Sequence, residues 1–138
     1  MNEIFADSAY WIALQFEKDA LHERAIHWTQ SKHDSLLIVT SDLVLIEFLH
    51  YASRAGTQTR IEVAEIWDRA HANREILVIP DTERLLRMAV GLSKQAADKR
   101  WSLTDCASIH IMRERGISEA LTANHHFEQA GFHILLKH

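Results

Sequence analysis

The chain has 138 residues, 47% of them apolar and 25% charged, which suits one globular domain with a real core and excludes a disordered or low-complexity chain. No run of about 18 apolar residues offers a membrane span, residues 1–7 lack the basic-then-apolar pattern of a signal peptide, and a lone cysteine, Cys106, excludes an internal disulfide, so a reducing, cytoplasmic setting is expected. The formal net charge of −4 does not advertise a polyanion binder, yet a cluster of metal-binding carboxylates lowers net charge without preventing phosphate binding.

The predicted elements alternate along the chain. Ile4-Phe5-Ala6 reads as a first strand ending at Asp7, followed by a helix over Ser8 to Gln15 and a second over Leu21 to Gln30. Leu36 to Val39 is an apolar strand. Thr40-Ser41-Asp42 closes it and starts a helix from Leu43 to Arg54, stopped near Gly56. A longer helix covers Thr59 to Asn73, where Val63, Ile66, Trp67 and Ala70 form one apolar face. Ile76 to Ile79 is a strand stopped by Pro80, and Asp81 or Thr82 opens a helix reaching Ala97. Ser102-Leu103-Thr104-Asp105 has the form of a capping box before a helix that ends at Gly116. Ala120 to Thr122 and Ile134 to Leu136 are the last strands. Continuous apolar strands between helices predict an α/β fold of three layers around a parallel sheet.

In such a sheet, ligands bind beyond the carboxyl ends of the strands. Asp7 follows the first strand directly, and Asn124 follows the strand at 120–122 by two residues. Asp105 begins a helix, and Glu47 interrupts the apolar run Leu43 to Leu49, where burial would neutralise it unless a cation paired with it. Each also has a plain structural reading. Asp7 caps a helix, Asp105 is the reciprocal member of the capping box, and Glu47 lies on a solvent stripe with His50 and Arg54.

Taken jointly, the motifs resemble the PIN-domain nucleases, and among them the VapC-type toxins of toxin–antitoxin pairs. The likeness rests on Phe5 to Trp11, on Thr40 to Glu47, on Asp98 to Ser108, and on Ala120 to Phe127 with Ala130-Gly131-Phe132. It covers nearly the whole chain, so one PIN-like domain over 1–138 is expected. The resemblance implies an endoribonuclease that uses Mg²⁺ or Mn²⁺ to hydrolyse RNA phosphodiester bonds through a metal-activated water. It implies Asp7 and Asp105 as direct metal ligands and Glu47 as a member that orients a metal-bound water or completes the shell. Ser8, Thr104 and Thr122 become supporting hydroxyls, and Asp98 an outer acid or a partner for a nearby arginine. A cognate antitoxin, an RNA substrate and a homodimer are likewise implied.

Many members of that family carry aspartate where this chain has Asn124, which lowers the charge of the site and predicts weaker metal binding. The alternative reading is therefore a catalytically weakened domain that binds RNA or an antitoxin without efficient cleavage. A generic phosphohydrolase or receiver-like domain ranks below both, because no lysine follows a strand end in the required context. His125 and His126, on extended backbone, are expected to point apart at the surface, one of them in reach of RNA. Cys106 reads as a small buried residue. Arg54, Arg60, Lys94, Lys99 and Arg100 are available to an RNA backbone, and Trp101 and Tyr10 either stack on bases or belong to the core.

Overall fold

Ile4, Phe5 and Ala6 carry no polar side chain on either face, a pattern that a strand satisfies only inside a sheet covered on both sides. The computed structural model describes residues 2–137 and places them there. Its elements are β1 (Glu3–Ala6), α1 (Ser8–Gln15), α2 (His22–Ser31), β2 (Leu37–Ser41), α3 (Asp42–Ala52), α4 (Thr57–Ala72), β3 (Ile76–Ile79), α5 (Glu83–Gln95), a 3-10 turn (Ala97–Lys99), α6 (Leu103–Arg115), β4 (Glu119–Leu121), α7 (His125–Gln129) and β5 (His133–Ile134).

All five strands run parallel in the order β3-β2-β1-β4-β5, and helices flank the sheet in three layers, as the strand pattern predicts. β1 lies at the centre, with Phe5 opposite Val39 on one side and Ala120 on the other. The chain builds outward from β1 through β2 to β3, then returns to lay β4 against the free side of β1. That reversal makes the carboxyl ends of β1 and β4 the topological switch point, where a crevice opens. Among the described residues, no helix is long and apolar enough to cross a membrane.

Local signals hold the helices in place. The hydroxyls of Ser41, Thr82 and Ser102 accept from the N–H groups of Val44, Leu85 and Asp105 at 3.1, 3.1 and 3.0 Å, opening α3, α5 and α6. Asp105 returns a bond to the Ser102 N–H at 3.0 Å, completing the capping box read from the sequence. Gly116, at φ 69°, ends α6 in the left-handed conformation that glycine adopts without strain. Tyr10 is buried, its hydroxyl 2.7 Å from Thr29, which joins α1 to α2 and removes it from any role in stacking on bases.

The structure departs from the sequence reading at a few ends. β2 continues through Thr40 and Ser41, because Thr40 pairs with Val78 and Ser41 with Ile79. Thr40 also donates its hydroxyl to the Ala6 carbonyl at 2.8 Å. Ser41 is thus both the last strand residue and a helix cap. α5 opens at the Thr82 cap as read, but ends at Gln95 and gives way to the 3-10 turn before Ala97 is reached as helix. α7 is absent from the sequence reading, being five residues long and too short for periodicity to register.

One bond set ties three elements together outside the sheet. His71, in the last turn of α4, has Nδ1 2.8 Å from the Trp67 carbonyl and Nε2 2.8 Å from the Asp42 carboxylate. Both partners can only accept, so both bonds exist together only when both ring nitrogens carry protons. The Trp67 carbonyl, then Asp42, raise the His71 pKa above its ordinary 6.5. Asp42 also accepts from the Asp81 N–H at 3.4 Å, which adds the β3–α5 connection to the clasp. A raised folded-state pKa contributes stability that is complete below the unfolded value and fades as pH rises through the folded one. Denaturant unfolding of the wild type and His71→Phe, which preserves the ring contact with Trp67 at 4.5 Å, is expected to differ most near about pH 5.5 and least above about pH 8. A difference that is independent of pH would contradict the charged clasp.

Candidate active site

Asp7 is the first residue beyond β1 and stands at the N-cap position of α1, yet its side chain makes no capping bond. The carboxylate is instead turned into the crevice, where Oδ2 accepts from the Thr122 hydroxyl at 2.9 Å. That bond crosses from the end of β1 to the end of β4. Asp7 is only 4% exposed. Burial above all, with the negative charges of Glu47 and Asp105, pushes its pKa from 3.8 to about 7 against the bonds from Thr122 and the Ser8 N–H.

Asp105 is buried in the first turn of α6. Its Oδ2 accepts from the Ser102 N–H at 3.0 Å and from His126 Nδ1 at 2.8 Å, while Oδ1 faces Asn124 Nδ2 at 3.4 Å. The capping role and a place in the crevice therefore coexist in one side chain. Cys106, next to it, is fully buried, and burial followed by the Asp105 charge pushes its thiol pKa up, so it is a core residue without nucleophilic character.

Glu47 is not buried among its apolar neighbours. The inward side of α3 is taken by Val44, Leu45 and Phe48, and Glu47 lies on the exposed side with Ile46. It reaches the crevice through Ser8, whose hydroxyl donates to Oε1. Ser8 is the first residue of α1, so Asp7 and the contact to Glu47 are adjacent in the chain.

Asn124 caps α7. Its Oδ1 accepts from the His126 N–H at 3.0 Å, and its own N–H donates to Thr122 Oγ1 at 3.1 Å. Thr122 thus bonds both Asp7 and Asn124. The structure brings Asp7, Ser8, Glu47, Asp105, Thr122 and Asn124 into one network, with Thr104 half-buried one position before Asp105. Asp98 stands apart: it is exposed on the 3-10 turn and faces Lys99 at 3.6 Å instead of an arginine or the other acids.

His126 is the site neighbour that sequence reasoning missed. His125 and His126 begin α7, and their rings lie 4.6 Å apart instead of diverging. The available signal was Asn124 itself, a favoured N-cap residue that turns the following segment into a helix. Trp101 is half-buried and donates Nε1 to Gln129 at 2.9 Å. Beside Ser8 and Glu47 opens a cavity of about 640 Å³, whose wall includes Phe16, His50, Tyr51 and Arg54.

The donors of the crevice are hard oxygens, the kind that suit Mg²⁺ or Mn²⁺. Among the described residues, no three His, Cys, Asp or Glu side chains close into a ready-made metal cage. Mg²⁺ keeps several waters and is held by one or two carboxylates together with substrate phosphate, and Asp7 and Asp105 are the buried carboxylates of this crevice.

The PIN domain family model matches residues 4–133. No match is found among curated proteins. Among solved structures, the chain is similar to VapC20 of Mycobacterium tuberculosis, described as a sarcin–ricin loop cleaving toxin, with a TM-score of 0.82 and 28% identity over 94% of this chain and 95% of that one. It shares its fold with FitAcB from Neisseria gonorrhoeae, at TM-score 0.66 and 11% identity over 96% of each chain. FitAB bound to an IR36 DNA fragment gives TM-score 0.65 and 13% identity over 95% of this chain and 92% of that one. The parallel sheet, the acids gathered at its switch point and the family match agree with the resemblance carried by the four motifs: this chain belongs to the PIN domain family.

Proposed function

We propose that the chain is a Mg²⁺- or Mn²⁺-dependent endoribonuclease and the toxin of a bacterial toxin–antitoxin pair. The observation that carries this reading is Asp7, a buried carboxyl at the switch point whose pKa rises to about 7 beside two further acids. A fold has no structural use for such a group, whereas a divalent cation removes the penalty. The likeness to VapC20, described as a sarcin–ricin loop cleaving toxin, supports a nuclease toxin, and RNA as substrate, an antitoxin as partner and the cytoplasm as location belong to this proposal. A homodimer belongs to the same proposal.

The roles follow from the bonds. Thr122 fixes Oδ2 of Asp7 and so sets the direction in which the carboxylate presents its remaining lone pairs. A carboxylate offers about four acceptor positions; Ser102, His126 and Asn124 draw on those of Asp105, and Thr122 and the Ser8 N–H on those of Asp7, so Asp7 keeps more of its positions for a cation. Ser8 holds Glu47 at the rim, where it orients an attacking water and accepts its proton. A divalent cation, when bound, activates that water at neutral pH and stabilises charge on the phosphate.

A second reading, a domain that binds RNA or an antitoxin with weak cleavage, draws on Asn124. Its amide is spent on Asp105 and on capping α7, and it adds no charge.

Three outcomes are expected. Purified protein with Mn²⁺ or Mg²⁺ cleaves a structured RNA, and Asp7→Asn lowers the rate about 100-fold or more. Equal cleavage by the variant would point to contamination, and binding without cleavage by the wild type would favour the second reading. A group whose folded pKa is raised costs nothing below its unfolded value and its full penalty above the folded one. Without metal, Asp7→Asn should therefore melt higher than the wild type at about pH 8, by a stability difference of at most roughly 4 kcal/mol, and match it near about pH 4. Mg²⁺ should raise the melting temperature of the wild type only, and a variant no more stable at the alkaline end would sink the buried-charge argument. In Asn124→Asp, which retains capping ability, calorimetry should find tighter Mg²⁺ or Mn²⁺ binding; unchanged affinity would refute the charge-deficit view of position 124.

A further inference from the structure

The 640 Å³ cavity beside Ser8 and Glu47 is not accounted for by the acids. Its volume lies within the range of sites that enclose small ligands. Tyr51 stands in its wall with 53% of its surface exposed, although large aromatics are ordinarily covered. Phe16 packs edge-on against Tyr51, with ring centroids 5.4 Å apart at 82°, and so braces the exposed ring in one orientation. Glu47 and Tyr51, four residues apart, share one side of α3, and Arg54 follows in the turn after it; all three line the cavity. Glu47 and Tyr51 are one turn apart, ~6 Å along the axis.

Charge distinguishes the outer end of this row. Arg60 is turned onto the Ser53 carbonyl at 3.2 Å, and Arg69, Arg84, Arg87 and Arg115 face acids. Arg54, like Arg24, Arg74, Arg100 and Arg113, is exposed and, among the described residues, has no ion-pair partner, and of these five it is the one that lines the cavity. In a chain of net charge −4, a free guanidinium and His50 beside an apolar, aromatic cavity next to the acids match a chain of bases carried on phosphates. An apolar peptide side chain would use the aromatic wall but not the cation.

We propose that this cavity is a nucleobase subsite for single-stranded RNA, in which Tyr51 stacks on the base flanking the scissile bond and Arg54 takes the phosphate beyond it. The subsite rests on the nuclease reading for its direction along the RNA. Every base has a face to stack, so Tyr51 confers affinity at one position without strict sequence choice.

The test is an abasic scan. A short single-stranded RNA is bound to the non-cleaving Asp7→Asn protein by fluorescence anisotropy, with each nucleotide in turn made abasic, and the same set is offered to the otherwise wild-type enzyme for cleavage. One position should lose about 5- to 150-fold in binding when its base is removed. Tyr51→Leu should lose the same factor on intact RNA and become insensitive to that abasic position, raising KM more than it lowers kcat, while Tyr51→Phe keeps the sensitivity. Arg54→Gln should weaken binding of all sequences alike and reduce the salt slope by about one phosphate contact. An abasic profile that Tyr51→Leu leaves unchanged overturns the proposal and reassigns the cavity to a protein side chain. Because Tyr51 is exposed, its replacement leaves the core intact, and the abasic arm needs no change at Tyr51. Failure of the nuclease reading is visible separately, as absence of wild-type cleavage with the binding scan still readable.

Discussion

The carboxyl of Asp7 is almost wholly withdrawn from water, and the surrounding bonds are arranged around that fact. It lies at the end of the central strand, so neighbouring strands and helices cover it from both faces, and its ionised form pays for that cover. Only the Thr122 hydroxyl and the Ser8 N–H offset part of the cost. A protein without use for charge at this point would be more stable with an amide there. The conflict between fold and site is concentrated in one residue, as is usual where a catalytic group is held in a low-dielectric position.

Around Asp7 the network divides into two kinds of acid. Asp105 is satisfied by donors from the protein itself: a helix cap, an imidazole and an amide. Glu47 is hydrated at the rim and fastened by a single serine. The three carboxylates therefore differ in burial and in spare lone pairs, Glu47 standing apart as the sequence reading has it. His126 and Asn124 act together on Asp105, the first through a ring nitrogen and the second through its amide, and Asn124 also caps the helix that carries His126. Where an aspartate would repel Asp105, the asparagine donates to it.

Much of this was legible from the residues alone. Apolar runs between helical stretches announced a parallel sheet, and the Ser102–Asp105 spacing announced its capping box to the residue. Asp7 and Asn124 read as lying beyond strand ends, and the sheet carries both to its switch point. What escaped the sequence depended on tertiary contact. Glu47 has two readings, an intruder in an apolar run or a member of a solvent stripe with His50 and Arg54, and the second holds: helical geometry turns it outward between Val44 and Phe48. The segment at 125–129 was too short to declare itself a helix, so the approach of His126 to Asp105 was invisible. Asp98 sat in the best-matching motif and yet points to solvent, since nearness in the chain to Asp105 does not survive the turn between them. The phenol of Tyr10 found Thr29 across two helices, a pairing that no local pattern encodes.

The bond from Thr122 to Asp7 joins residues 115 positions apart. Strands β1, β2 and β3 can pair as soon as the chain exists through Ile79, but β4 must travel back over them to reach the open side of β1. Closing so long a loop is entropically slow compared with the local steps of folding. Until it closes, Asp7 faces water and ionises as an ordinary acid, with neither Asp105 nor Asn124 near it. The cluster of Asp7, Thr122, Asn124 and Asp105 is thus absent from every N-terminal fragment that stops short of β4, including the chain as it emerges during synthesis. The same topology that buries the acid also delays its assembly until most of the protein has been made.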